Sequence, residues 1–257
     1  MFLPLWNAFR KSASQSAPTT SPGVRIYAIG DIHGRLDLLD ALSRMIEDDL
    51  RSAPVDGEAV AVFLGDYIDR GLHSAGVLER LSSGAFPTPI VALRGNHEAT
   101  LRDFLANPDL LEEWRRFGGL ETLASYGVDV KEPMRGRNYE RARNDLAEAL
   151  PDRHLSFLDH MLLSWEAGDY FFCHAGARPN VALSRQTEHD LLWIRDEFND
   201  YRGSFEKIII HGHTPVSEAE VLPNRINIDT GAYATGVLTC LVLEGAGRRF
   251  IATAPAS

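Results

Sequence analysis

Cysteine is scarce in this chain: two among 257 residues, Cys173 and Cys240. Both sit in apolar runs and read as buried free thiols. With no disulfide framework suggested, a reducing cytoplasm is the expected setting. Long hydrophobic runs are missing too. Nothing approaches the roughly 18 apolar residues of a membrane-spanning helix, so no membrane span is expected. The opening Met1-Phe2-Leu3-Pro4-Leu5-Trp6 is short for a secretory signal, and its basic residues, Arg10 and Lys11, follow rather than precede it. Positive charge is in deficit: 26 Lys and Arg against 36 Asp and Glu give a formal net charge of −10. That argues against a nucleic-acid partner, whose binding proteins are usually basic. There is no internal repeat and no signal of oligomeric state.

What remains is an ordinary globular composition, 44% hydrophobic and 24% charged, long enough for one large domain. Residues 12–23 are rich in Ser, Thr, Ala and Pro, so 1–23 is expected to be a flexible leader and 24–257 the catalytic domain. Residues 24–29 alternate in a β-prone way, 36–50 carry a helical apolar stripe, and 59–64 form a short continuous apolar run. A helix over 74–81 and a strand over 89–93 complete a β-α-β-α-β series, which predicts a parallel sheet covered on both faces. Residues 98–161 are mostly helical in pattern and are expected to form an insertion near the mouth of the site. Strands are expected at 170–173, 207–210, 221–228, 237–243 and 249–252, the later ones as antiparallel hairpins. The predicted whole is α/β, two sheets stacked as a sandwich and flanked by helices.

Five glycine-flanked blocks carry the chemistry. They are Gly30-Asp31-Ile32-His33-Gly34-Arg35, Gly65-Asp66-Tyr67-Ile68-Asp69-Arg70-Gly71, Arg94-Gly95-Asn96-His97-Glu98, Cys173-His174-Ala175-Gly176 and His211-Gly212-His213-Thr214. Mixed oxygen and nitrogen donors suit hard or borderline divalent cations. Asp31 and His33, two apart in an extended segment, can face one ion; a solvent turn would use the same residues. Asp66 has two oxygens and can bridge two cations, or it can cap a helix. Asn96 offers a neutral oxygen, and His174 and His213 neutral imidazoles that complete a second metal sphere. His97 is free to act as a proton donor, with Asp69 as the candidate carboxylate that holds it protonated; it can also merely cap the next helix. His211 is placed behind the ligands as a brace. Arg70 and Arg94 flank the ligand blocks with guanidinium forks that match phosphoryl oxygens. Arg195 is a third candidate, which a surface pairing with Asp196 or Glu197 would explain equally well.

Taken together, these motifs resemble the phosphoprotein phosphatases of the calcineurin-like metallophosphoesterase superfamily, in its compact bacterial and phage branch. They run from residue 30 to 214 in the family's order, and Leu191 to Asp196 and Ile228-Asp229-Thr230-Gly231 also look like that branch. The resemblance implies the metallophosphoesterase α/β/β/α sandwich of two mixed sheets. It implies Asp31, His33, Asp66, Asn96, His174 and His213 as ligands of two divalent metal ions, Mn2+ first, with Fe or Zn as the other options. It implies His97 as general acid oriented by Asp69, and Arg70, Arg94 and Arg195 as phosphate binders. The expected activity is a serine/threonine protein phosphatase, acting on phosphoserine and phosphothreonine proteins by in-line attack of a metal-activated hydroxide. Thr214 stands where many phosphodiesterases of the superfamily carry a further histidine, which favours this branch. The alternative is a dinucleoside polyphosphate hydrolase of the diadenosine tetraphosphatase type; a non-catalytic phosphate-binding scaffold would not need the ligands together with His97 and Asp69.

Overall fold

The alternation over the first strand is buried on both sides. In the computed structural model, which describes residues 17–254, β1 spans Val24–Ile29 and is followed by α1 (Leu36–Ser52), β2 (Glu58–Phe63), α2 (Ser74–Ser82) and β3 (Ile90–Ala92). β2 lies between β1 and β3, parallel to both. α1 forms because Leu38, Leu39, Leu42 and Ile46 recur at helical spacing and are all buried. Asp37 in its first turn and Arg51 in its last complement the helix dipole. Removing one such side chain, for instance by Leu42→Ala, would cost about 2–5 kcal/mol.

The insertion begins inside the third block. α3 is Asn96–Ala106; α4 (Leu111–Trp114), α5 (Gly119–Ser125), α6 (Lys131–Met134), α7 (Tyr139–Ala149) and α8 (Asp152–Asp159) follow. Its Phe104, Trp114, Leu123 and Leu146 pack in one apolar cluster with Tyr27, Leu39 and Val77, so these helices extend the first helical layer.

The second sheet comprises β4 (Ser164–Ala167), β5 (Tyr170–Cys173), β6 (Ile208–His211), β7 (Glu220–Val221) and β8 (Arg225–Asn227), with α9 (Glu188–Trp193) and α10 (Asp196–Asn199) between β5 and β6. Its order is β4-β5-β6-β8-β7. The chain then passes α11 (Ala232–Thr235) and returns to the first sheet as the antiparallel hairpin β9 (Thr239–Glu244) and β10 (Gly247–Ala252). β9 pairs antiparallel with β1, giving the order β10-β9-β1-β2-β3.

The two sheets meet through Ile26, Ala28, Val62 and Leu64 on one side and Phe172, Ile210, Ile226 and Ile228 on the other. Alternate residues point outward. Tyr27 and Phe63 face α1 and α2. Phe171, Cys173 and Ile209 face α9 and α10 through Leu191 and Phe198. This is the expected α/β/β/α sandwich of two mixed sheets. Three details differ from expectation. β4 was not foreseen, because its four residues are half-exposed and too short for a periodic signal. The run expected over 221–228 is broken by a turn into β7 and β8, and β6 extends one residue to include His211.

Residues 1–16 of the expected leader lie outside the described residues. Its later part is held. Thr19 N–H donates to Asp169 Oδ2 at 2.8 Å, Thr20 N–H to the Gly245 carbonyl at 3.0 Å, and Tyr170 Oη to the Pro18 carbonyl at 3.2 Å. Both cysteines are buried and free. Among the described residues no helix is long and apolar enough to cross a membrane.

Candidate metal centre and phosphate site

All five blocks converge at one edge of the sandwich. β1, β2, β3, β5 and β6 stop just before or within them, so the loops that follow bring their polar side chains together. The backbone there is held in unusual conformations. Among the described residues, seven non-glycine residues have positive φ, and five belong to these blocks: His33, Asp66, Asp69, Arg70 and His213. Such conformations cost about 1–3 kcal/mol each and persist only where the surroundings enforce them.

Asp66 lies at the centre, 2% exposed. Its Oδ2 is 3.5 Å from His33 Nε2, and its Oδ1 is 3.4 Å from His174 Nε2, so each oxygen faces a different histidine. His174 Nδ1 donates to the Leu64 carbonyl at 3.0 Å, which leaves the Nε2 lone pair pointing into the site. That lone pair meets Asn96 Oδ1 at 2.9 Å and His213 Nδ1 at 3.1 Å, while Asn96 Oδ1 and His213 Nδ1 are 2.8 Å apart. Two acceptors, His174 Nε2 and Asn96 Oδ1, face each other with no proton between them. Donor atoms about 2.1 Å from a shared cation lie about 3 Å apart, so a cation resolves this contact. His33 repeats the arrangement, with Nδ1 on the Ile68 carbonyl at 2.8 Å.

Asp31 is also buried. Its Oδ2 accepts from the His213 N–H at 3.1 Å, and its Oδ1 has no hydrogen-bond partner. Gly212 lets that carboxylate in: a Cβ at position 212 would lie 2.1 Å from Asp31 Oδ1. Burial, then the charges of Asp229 and Asp66, push the Asp31 carboxyl well above its usual range. An orphaned, crowded carboxylate oxygen of this kind fits a cation. The residues present therefore fit a divalent metal centre. Ligand atoms of Asp66, His174 and His213 lie within 4.8 Å of one another, as do those of His33, Asp66 and His97. Asp31 is in neither trio; its place beside the centre rests on its unpaired oxygen.

The imidazoles differ in charge. Burial lowers His174, brings His33 down to about 3 and His213 to about 2, so all three are neutral and free to ligate. For His97, burial works in the same direction, but Asp66 and Asp69 outweigh it and raise the ring to about 9. His97 Nδ1 is 2.6 Å from Asp69 Oδ2, and its Nε2 is 3.7 Å from Asp66 Oδ2.

The three arginines separate. Arg70 and Arg195 line a cavity of about 460 Å³ with Asn96, His97, Leu110, Trp114, Phe117 and Trp193. Arg70 stacks over the Tyr233 ring at 4.4 Å, and Arg195 Nη1 is 3.5 Å from Thr214 Oγ1. Arg94 instead lines an adjoining cavity of about 400 Å³ with Arg102, Glu188, His189 and Trp193, and Glu188 is 3.3 Å away from it. Trp193 borders both cavities.

His211 makes no ring hydrogen bond to a candidate ligand among those described; its Nδ1 meets the Gly212 carbonyl at 3.1 Å. It shares the β6 face of Ile209, which points to α10, and its ring packs edge-on against Phe198 with centroids 4.8 Å apart. The left-handed turn at His213 reverses the alternation that would have put 211 and 213 on one side.

Three contributors were missed. Glu98 is 1% exposed and accepts from the N–H groups of Asp66, Tyr67, Ile68 and Gly95 at 2.8–3.3 Å, tying the second block to the third. Its position three residues after the helix-capping Gly95 was the available signal. Tyr233 carries Arg70 and sits edge-on to His33, centroids 5.4 Å apart. Asp229, 2% exposed, adds a carboxylate next to Asp31 and is raised to about 6, chiefly by burial. It lies in the stretch Ile228 to Gly231, which looks like that of the compact bacterial and phage branch.

A sequence profile for calcineurin-like phosphoesterases matches residues 24–237. The asymmetrical bis(5'-nucleosyl)-tetraphosphatase PrpE of Anoxybacillus flavithermus is 29% identical, the match covering 83% of this chain and 88% of that protein. Its namesake from Halalkalibacterium halodurans is 27% identical over 83% of this chain and 87% of its own. A crystal structure provisionally described as a diadenosine tetraphosphatase superposes with a TM-score of 0.63 at 20% identity, over 94% of this chain and 100% of that one. A serine/threonine phosphatase of Saccharomyces cerevisiae reaches 0.53 at 15% identity, over 92% and 82%. These two likenesses concern the fold. The names of the curated relatives depart from the serine/threonine phosphatase expected from the motifs and match the alternative, because the motifs encode the metal chemistry that both activities share.

Proposed function

The chain belongs to the calcineurin-like phosphoesterase family, and from that premise we propose that it hydrolyses dinucleoside tetraphosphates asymmetrically. The observation that carries this reading is the cavity beside the histidine cluster. It sets Arg70 and Arg195 next to Trp193 and Phe117, which are 42% and 52% exposed. Exposed aromatic faces beside phosphate-binding cations suit a nucleobase attached to a phosphate chain. The names of the curated relatives support the same substrate class.

Asp31, His33 and Asp66 would hold one divalent cation, and Asp66, Asn96, His174 and His213 the other; the hard oxygen and nitrogen donor set favours Mn2+ over softer metals. When bound, the cations activate water and offset phosphoryl charge. Arg70 and Arg195 bind the reacting phosphoryl group, and Arg94, in the next cavity, binds phosphates farther along the chain. His97, kept protonated by Asp69, gives a proton to the leaving oxygen. Water adds to phosphorus, the P–O–P bond breaks, and a four-phosphate chain split unequally yields a nucleoside monophosphate and a nucleoside triphosphate. The two buried thiols accord with a cytoplasmic setting.

The His97–Asp69 pair favours a second reading. A donor that stays protonated at working pH matters most for an alkoxide leaving group such as that of phosphoserine or phosphothreonine. Turnover of diadenosine tetraphosphate and of a phosphoserine peptide, with each divalent metal in turn, tests the two. The proposal expects ATP and AMP from the dinucleotide at the higher kcat/KM. Turnover of the peptide alone would overturn it in favour of a protein phosphatase.

A further inference from the structure

Asp69 is a fully buried carboxylate at a backbone position with φ 73°. A buried charge in a strained turn stays put only when its oxygens are hydrogen-bonded and the backbone is clasped from outside. Most of this support comes from the insertion, with Ser74 Oγ in α2 also accepting from the Asp69 N–H at 3.0 Å. Trp114 Nε1–H, at the end of α4, donates to Asp69 Oδ2 at 2.6 Å, on the same oxygen that His97 uses. Thr122 Oγ1–H, in α5, donates to Asp69 Oδ1 at 2.5 Å and accepts from the Asp69 N–H at 2.9 Å. Between them, the Gly118 carbonyl accepts from the Arg70 N–H at 3.3 Å. A side chain could not replace that glycine: a Cβ there would lie 2.2 Å from Arg70 N, at φ 100°. Trp114 is itself held, 1% exposed and packed on Phe104 with centroids 5.1 Å apart, and it forms a wall of the cavity.

We propose that Trp114 and Thr122 are positioning residues for the reaction: together with Gly118 they form a clamp that fixes the Asp69 carboxylate, and through it the His97 ring, toward the leaving group. The proposal rests on the reading of His97 as proton donor. It gives the insertion a catalytic task in addition to any part in substrate access. Neither residue belongs to a ligand block, and neither touches a candidate metal ligand among the hydrogen bonds described.

The test uses the full chain and four variants: Trp114→Phe, Thr122→Val, Thr122→Ser and His97→Asn. Each is assayed on an alkyl phosphate and on p-nitrophenyl phosphate. Trp114→Phe and Thr122→Val should lower kcat on the alkyl ester by about tenfold or more, within the ~10²–10⁴-fold that general acid catalysis supplies. In Thr122→Val, KM and aryl-ester turnover should change less than about threefold, and Thr122→Ser should restore the rate. Equal losses on both esters, losses confined to KM, or no rescue by serine would overturn the clamp. A second measurement separates it from the acid reading. The downfield NMR signal of the proton between His97 and Asp69 should shift or broaden in Trp114→Phe and Thr122→Val and return in Thr122→Ser. If His97→Asn loses as much on the aryl ester as on the alkyl ester, the acid reading fails while the NMR result still decides the clamp. An unchanged signal in both variants overturns the clamp even if activity falls.

Discussion

His174 and His97 stand on opposite sides of Asp66, 0% and 4% exposed, and burial disfavours the charged form of each. His174 spends its Nδ1–H on a neutral carbonyl and stays uncharged. His97 places its Nδ1–H on the buried Asp69 carboxylate and is raised to about 9. Asp66 raises both rings, and the same side chain at the same depth is neutral or protonated according to whether a second carboxylate, Asp69, stands behind it. The partner on the far nitrogen, more than burial, sets the charge of each ring.

The largest test of that comparison removes the group both sides share. Asp66→Asn should reduce turnover by about 10³-fold or more, since metal activation is worth several kcal/mol, and metal analysis should show fewer bound ions per chain. Full metal content with retained activity would break the bridging role. Next, His97→Asn should keep its metal and lose ~10²–10⁴-fold on poor leaving groups. In the wild type the ring is protonated below about pH 9, so turnover of alkyl esters should fall as pH rises through that value. The pairing also stabilises the fold, fully below the ordinary value of about 6.5 and decreasingly as pH climbs through about 9. A rate on alkyl esters that is flat from pH 7 to 10 would remove His97 from the mechanism.

A smaller effect separates the arginines. Arg70→Ala should lower kcat/KM on p-nitrophenyl phosphate by about 10²-fold, as expected for a lost charge-assisted phosphate contact of about 3 kcal/mol. Arg94→Ala should change that rate by less than about tenfold and act mainly on the KM of dinucleotides, because Arg94 lines the adjoining cavity beside Glu188. The smallest effect belongs to His211. Burial lowers it to about 3, so as pH falls below about 6.5 the unfolded chain takes a proton that the fold refuses, and stability declines. His211→Leu should flatten that acid limb in thermal melts between pH 6.5 and 4 while activity stays within about threefold. A large loss of activity would return His211 to the metal site.

The comparison also explains what the sequence discloses. The candidate ligands were legible because few residue types can hold a cation, and all but His174 stand directly beside a glycine; Asp31, His33, Asp66, Asn96, His174 and His213 meet at one edge. The layer order followed from alternating and continuous apolar runs. The acid side was half legible. His97 and Asp69 lie in blocks, but Trp114 and Thr122 are ordinary residues on short helices, recognisable only once the helices are packed. Arg94 was grouped with Arg70 because both flank ligands, although the start of α3 turns it toward a different cavity. The return of β9 to pair with β1 carries no local signal, since it depends on strands more than 200 residues apart in the chain.

That return has a consequence for synthesis. Asp31 is held by the backbone of His213, 182 residues later, and β1 gains its second neighbour only when residues 239–244 arrive. Contacts this distant in sequence form late. A ribosome that has made the first four blocks has therefore exposed most of the chemistry and none of the enzyme. The histidine cluster and the first sheet are complete only once residues 213–244 have been made.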